Sequence, residues 1–169
     1  DGDWDIVAAA ENSDTIAWYE NSGSRPPTFT ANLIRTAAQP PSSSQQDYAR
    51  TIDLGDVNGD GRIDVVYGSD IDGEVGWYEN SGHADPIFSN HLVTTEMEAV
   101  KSVAVADADH DGDLDITAGG EGSFLFFENN GASTPGFEQQ TLTPDVAGFR
   151  TVAVADINGD GQRDLLSAS

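Results

Sequence analysis

The chain has 169 residues, of which 30 are Asp or Glu and 7 are Lys or Arg, giving a formal charge of −23 at pH 7. That length suits one packed domain, and 37 % hydrophobic content with three Trp, four Tyr and seven Phe supplies its core. The acidic balance argues against nucleic acid or an anionic membrane as partner, since both need a basic footprint, and argues for cations.

No apolar run approaches the ~20 residues of a membrane-spanning helix, no signal peptide precedes Asp1, and cysteine is absent, which excludes disulfides and thiolate metal sites. The chain opens inside a motif and without an initiator Met. It is therefore expected to be soluble as given, and either a processed form or a piece of something longer.

In chain order, the first feature is Asp1-Gly2-Asp3-Trp4-Asp5, the last five positions of a nine-residue acidic pattern. An aromatic strand follows, Trp18-Tyr19-Glu20-Asn21-Ser22-Gly23, and then a strand led by Phe29 two residues after Pro27. An insert, Gln39-Pro40-Pro41-Ser42-Ser43-Ser44, separates these from an apolar strand at Thr51 to Gly55. The acidic pattern then appears whole as Asp56-Val57-Asn58-Gly59-Asp60-Gly61-Arg62-Ile63-Asp64, with a second apolar strand over Ile63 to Tyr67.

After turn residues Ser69-Asp70 and Asp72-Gly73, Trp77-Tyr78-Glu79-Asn80-Ser81-Gly82 repeats the aromatic strand, and Pro86 with Phe88 repeats the strand after it. A third round runs through Ser102 to Ala106, Asp107-Ala108-Asp109-His110-Asp111-Gly112-Asp113-Leu114-Asp115, Leu114 to Ala118, Phe126-Phe127-Glu128-Asn129-Asn130-Gly131, and Pro135 with Phe137. The chain ends in Thr151 to Ala155 and Asp156-Ile157-Asn158-Gly159-Asp160-Gly161-Gln162-Arg163-Asp164.

The final aspartates of the pattern fall at 5, 64, 115 and 164, so one unit is about fifty residues long. No stretch of ten residues shows helical period with caps. Four strands per unit at this period predict an all-β fold of β-propeller blades, each of four antiparallel strands, in about three and a half repeats. The units run roughly 1–49, 50–100, 101–149 and 150–169 within a single domain, with three, four, four and two strands, or 13 in all.

Oxygen-bearing side chains at positions 1, 3 and 5 of the acidic pattern, a Gly at 6 for the sharp turn, a carbonyl at 7 and an Asp at 9 form an all-oxygen set suited to Ca²⁺. An EF-hand is excluded, because it needs Glu at position 12 and flanking helices, where this chain has Tyr67, Ala118 or Ser167 and strands. The bland alternative is a set of solvated acidic turns. Against it, the loops concentrate 14 of the 30 acidic residues, a repulsion that a cation relieves.

The pattern between two strands, followed by Trp-Tyr-Glu-Asn-Ser-Gly, resembles the FG-GAP or VCBS repeats of bacterial secreted proteins, with the integrin α-subunit propeller as a distant relative. Leu54-Gly55 and Tyr67-Gly68-Ser69 stand roughly where the family's naming sequences would, which places the chain nearer the VCBS branch. The resemblance implies side-chain ligands Asp56, Asn58, Asp60 and Asp64 with the Arg62 carbonyl. The equivalent sets are Asp107, Asp109, Asp111 and Asp115 with Asp113, and Asp156, Asn158, Asp160 and Asp164 with Gln162. That makes three full Ca²⁺ sites, while the truncated copy keeps only Asp1, Asp3 and Asp5.

Strand parity puts the acidic loops and the Asn-Ser-Gly turns at one end of the blades. Glu11 to Asp14, the 39–44 insert, Asp70 to Gly73 and Gly120 to Gly122 fall at the other, the end that meets ligands in integrins. Arg50, Lys101 and Arg150 each lie six residues before an acidic loop and would ring that end. They read either as a receptor for an acidic or sugar ligand or, more ordinarily, as ion-pair partners of nearby carboxylates. Trp18, Trp77 and Phe126 read as a sugar platform or, more ordinarily, as packing between blades.

The three His do not recur in register and no catalytic motif is present, so no enzyme activity is expected. The expectation is a calcium-stabilised binding or structural module of a secreted, cell-surface or periplasmic bacterial protein. Its partner would be a protein or a carbohydrate, with no nucleic acid and no membrane insertion. The alternatives are a calcium-dependent lectin and an accessory domain of a larger secreted enzyme. An open arc of blades leaves unpaired edges, so a second copy or the remainder of a larger propeller is expected to close it.

Overall fold

In the computed structural model the described residues are 2–10, 13, 15–35, 49–83, 86–144 and 147–169. They form thirteen strands in four antiparallel sheets and no helix. The first sheet is β1 (Ile6–Ala10), β2 (Thr15–Asn21) and β3 (Phe29–Arg35). The second is β4 (Ala49–Gly55), β5 (Asp64–Ser69), β6 (Val75–Asn80) and β7 (Phe88–Thr94). The third is β8 (Glu98–Ala106), β9 (Asp115–Glu121), β10 (Ser123–Asn129) and β11 (Phe137–Pro144), and β12 (Thr151–Ala155) pairs with β13 (Asp164–Ala168) in the fourth.

Each complete sheet is a meander in chain order, as the repeat predicts. The expected three, four, four and two strands are the ones observed, so the chain is a run of blades from a partial propeller. No helix of the described residues is long and apolar enough to cross a membrane.

The sheets stack face to face because the second strand of a blade is apolar on both sides. Every residue of β5 is buried. Val66 faces a cluster shared with Val57, Trp77, Val100, Val103, Leu125 and Phe127, while Val65 and Tyr67 join Ile16, Ile34, Ala49 and Tyr78 on the opposite face. Each fully buried aliphatic or aromatic side chain contributes about 1.5–3 kcal/mol, so these two layers dominate stability. Trp77 is only 3 % exposed and Phe126 8 %, and Trp18 packs against the cluster between the first two sheets.

Between the third and fourth sheets the contact is smaller, built from Phe124, Phe149 and Val152. Phe149 seats directly on Gly119, where an added Cβ would lie 1.8–2.5 Å from three ring carbons. Gly68, its counterpart one unit earlier, receives Val100 in the same way, with Cγ1 2.5 Å from an added Cβ.

The first strands of successive blades lie side by side, and their backbone donors are met by side chains of the preceding blade. Val103 N–H donates to Thr51 Oγ1 (3.2 Å), Val105 N–H to Asp53 Oδ2 (2.8 Å), and Val152 N–H to Ser102 Oγ (3.1 Å). Edge donors that no strand pairs are thus satisfied between blades.

Candidate functional site

Each acidic loop joins the first two strands of a blade, beside the turn that follows the aromatic strand. The Asp at position 9 begins the second strand at 64, 115 and 164, and Asp64 and Asp115 are turned inward. Asp64 is fully buried, its Oδ2 accepting from Val57 N–H (3.0 Å) and its Oδ1 from Asn80 N–H (2.9 Å). Asp115 repeats this with Ala108 and Asn129 (both 3.0 Å). Asp5 accepts from Asn21 N–H (2.8 Å), and Asp164 from Ile157 N–H (2.9 Å).

The asparagine ending each aromatic strand completes the latch. Its amide donates to the carbonyl at position 8 of the loop, from Asn21 to Trp4 (3.1 Å), Asn80 to Ile63 (3.1 Å) and Asn129 to Leu114 (3.0 Å). Asn129 also donates to Val57 O (2.9 Å), which belongs to the loop of the preceding blade. This role of the asparagines is absent from the sequence reading, although their recurrence in register with the acidic loops was its signal.

The loops differ in how far their carboxylates are already engaged. In the first full loop Asp56 accepts from Asp60 N–H (2.9 Å) and Gly61 N–H (2.8 Å), Asn58 Oδ1 accepts from Asp60 N–H (3.2 Å), and the Arg62 guanidinium pairs with Asp60. The Asn58 amide donates to Glu79 (3.3 Å), which also pairs with His91 Nε2 (2.9 Å), and the His91 ring stacks on Trp77. In the last loop Asp156 accepts from Gly159 N–H (2.6 Å) and Gly161 N–H (2.9 Å), Asn158 Nδ2 donates to Asp160 (3.0 Å), and Asp160 accepts from Gln162 N–H (2.8 Å).

The middle loop has an Asp at position 3, where the other full loops have Asn58 and Asn158. Asp109 and Asp111 each accept one backbone N–H, from Asp111 (3.2 Å) and Asp113 (3.0 Å). Carboxylate oxygens of Asp107, Asp109 and Asp115 lie within 4.8 Å of one another, the one such group among the described residues. Asp107 Oδ1 is buried with no hydrogen-bond partner. Such an oxygen is costly to leave alone, and a hard cation is the partner three converging carboxylates suit.

Of the other residues singled out, Asp3 lies against Gly23, and Asp1 is outside the described residues, as are Glu11, Asn12, Asp14 and the 39–44 insert. Arg50 and Lys101 converge on Asp70, at 2.8 and 2.5 Å. That pairing supports the ion-pair reading of the two. Arg150 is exposed, and its backbone N–H donates to Ala168 O (2.9 Å).

Burial pushes the Asp64 carboxyl up to about 6, assisted by the charges of Asp60 and Asp56 and opposed by the N–H groups of Asn80 and Val57. Burial likewise raises Asp115, whereas Asp156 is lowered, first by the Gly161 N–H. A folded pKa above the unfolded one means that Asp64 favours the metal-free fold below about pH 4, and that this contribution is lost as pH rises through about 6. A cation held there would need the ionised carboxylate, so any stabilisation by Ca²⁺ would grow over the same range. The calcium-induced rise in Tm is expected to be larger at pH 7.5 than at pH 5, and equal increments would contradict this assignment.

Stacked four-stranded meanders, each with an acidic loop between its first two strands, define a propeller-type repeat protein. A model described as FG-GAP-like repeat matches residues 1–67, 56–118 and 115–167, and the chain belongs to that family. A comparison with curated proteins found no match.

Proposed function

We propose that this chain is a calcium-stapled, non-catalytic binding or structural module of a secreted or cell-surface protein, with a protein or glycan as its partner. The observation that carries the reading is the convergence of Asp107, Asp109 and Asp115, together with the buried, unpartnered Oδ1 of Asp107. In the middle loop these three, with Asp111 and the Asp113 carbonyl, would hold the ion. Asp56, Asn58, Asp60, Asp64 and Arg62, and Asp156, Asn158, Asp160, Asp164 and Gln162, would serve the other two. A bound Ca²⁺ offsets carboxylate repulsion and fixes each loop between two strands and the neighbouring turn.

Exposed ends favour a further blade beside this array. Ile157 is 64 % exposed at the loop position where Val57 is 2 % exposed against the third sheet. In this reading a second copy or further propeller chain covers it.

Extracellular calcium modules bind at about 10⁻⁴–10⁻³ M, so millimolar Ca²⁺ adds about 1 kcal/mol per site. Three sites raise Tm by roughly 6–12 °C in a domain of this size. Thermal unfolding in 2 mM Ca²⁺ and in EDTA, run beside light scattering, tests the proposal. Superimposable melts would remove the calcium assignment, and a monomeric mass would count against closure by a second copy.

A further inference from the structure

Two of the residues that depart from the repeat line the same cavity. At position 4 of the acidic loops the other full copies carry Gly59 and Gly159, with φ of 71° and 77°, whereas the middle loop holds His110 in that left-handed region at φ 66°. A side chain there is strained, and such strain is found where function requires it. At position 8 the other copies carry Trp4, Ile63 and Leu114, whereas the last loop carries Arg163. Leu114 packs on Gly55, its Cδ1 2.7 Å from where a Cβ would be, but Arg163 at the matching place is exposed.

His110 and Arg163 border a cavity of about 810 Å³ laid over β4, β8 and β12. Its wall also carries Thr51, Asp53 and Ser102. The Thr51 and Ser102 oxygens accept from the next blade's backbone, which leaves their own protons to donate. Asp53 accepts from Leu54 and Val105 N–H and keeps further lone pairs. Leu114 adds an apolar surface.

We propose that this cavity binds a neutral oligosaccharide, through Arg163 and His110 as donors, Asp53 as acceptor and Leu114 beneath a sugar ring. The inference deepens the binding-module reading and rests on it. Donors and acceptors side by side match a ligand whose hydroxyls are both at once, and the volume suits a ligand of two or three sugars. An anionic ligand fits worse. Asp53 and Asp107 stand in the wall, the middle loop holds five Asp, and the chain carries −23.

The test returns each departure to the repeat's own residue, as His110→Gly and Arg163→Leu, in saturating Ca²⁺. Binding of cellotriose, galactotriose and mannotriose is measured by calorimetry, with trigalacturonate as the anionic arm. At least one neutral trisaccharide is expected to bind, and each substitution weakens it about tenfold, the share of one hydrogen bond from a charged or polar donor. Tm and its calcium-dependent rise stay level or, for His110→Gly, increase, because the strained backbone is relieved. Three results overturn the proposal: no binding of any neutral trisaccharide, binding indifferent to both substitutions, or preference for trigalacturonate. If the calcium-dependent rise persists through any of them, the sugar site falls while the calcium module stands.

Discussion

Replacing Asp115 with Ala is expected to lower stability by about 3 kcal/mol, or roughly 6–12 °C in Tm, and to remove the middle loop's share of the calcium effect. The side chain is 1 % exposed, and its two oxygens accept the N–H groups of Ala108 and Asn129. Truncation leaves both donors without a partner, one at the start of the acidic loop and one at the end of the aromatic strand. Part of that cost is returned, because burial already disfavours the ionised carboxyl. Asp115→Asn keeps one acceptor and turns an amide toward the other N–H, so its loss is smaller. Thermal melts of both variants decide the matter. A Tm for Asp115→Ala within 2 °C of the parent, an effect of about 1 kcal/mol or less, would refute the latch.

The second large effect is expected from Gly119→Ala, at about 3 kcal/mol, near the upper end for overpacking. The added methyl would stand where the Phe149 ring lies, and that ring is fully buried and tilted against Phe124 at a centroid distance of 5.6 Å. The ring cannot yield without leaving its seat, and it is a main contact holding the two-stranded fourth sheet to the third. A two-stranded ribbon is marginal by itself. Amide exchange should therefore accelerate across β12 and β13 while β4 to β7 remain protected. Combining Gly119→Ala with Phe149→Ala should cost less than the two changes summed, since the pair shares one volume. Strict additivity would show that the contact is not the cause.

The period of the sequence carried the fold because each unit repeats its own turn and strand signals, and thirteen strands follow from aligning Asp5, Asp64, Asp115 and Asp164. Of the repeated acidic positions, those that converge are 1, 3 and 9 of the middle loop, at Asp107, Asp109 and Asp115. What the pattern does not encode is direction. Asp64 and Asp115 read as ordinary last ligands, yet their oxygens first serve backbone donors that become neighbours only when the aromatic strand folds back. The pairing of Arg50 and Lys101 with one carboxylate, Asp70, joins two blades and has no local signature. The seat of Phe149 on Gly119 is likewise invisible locally, for glycine in a strand gives no hint of which ring covers it. His110 did carry a signal, as a large residue in register with Gly59 and Gly159.

The bond from the Asn129 amide to Val57 O bears on how such an array behaves as a whole. Because that asparagine also holds the carbonyl of Leu114, one side chain spans two consecutive acidic loops. Order in either loop therefore lowers the entropy cost of order in the other, and the array behaves as a one-dimensional chain with nearest-neighbour coupling. Such a chain frays from its outer units inward, and cations held in the proposed loop sites would fill them with positive cooperativity along the line of blades.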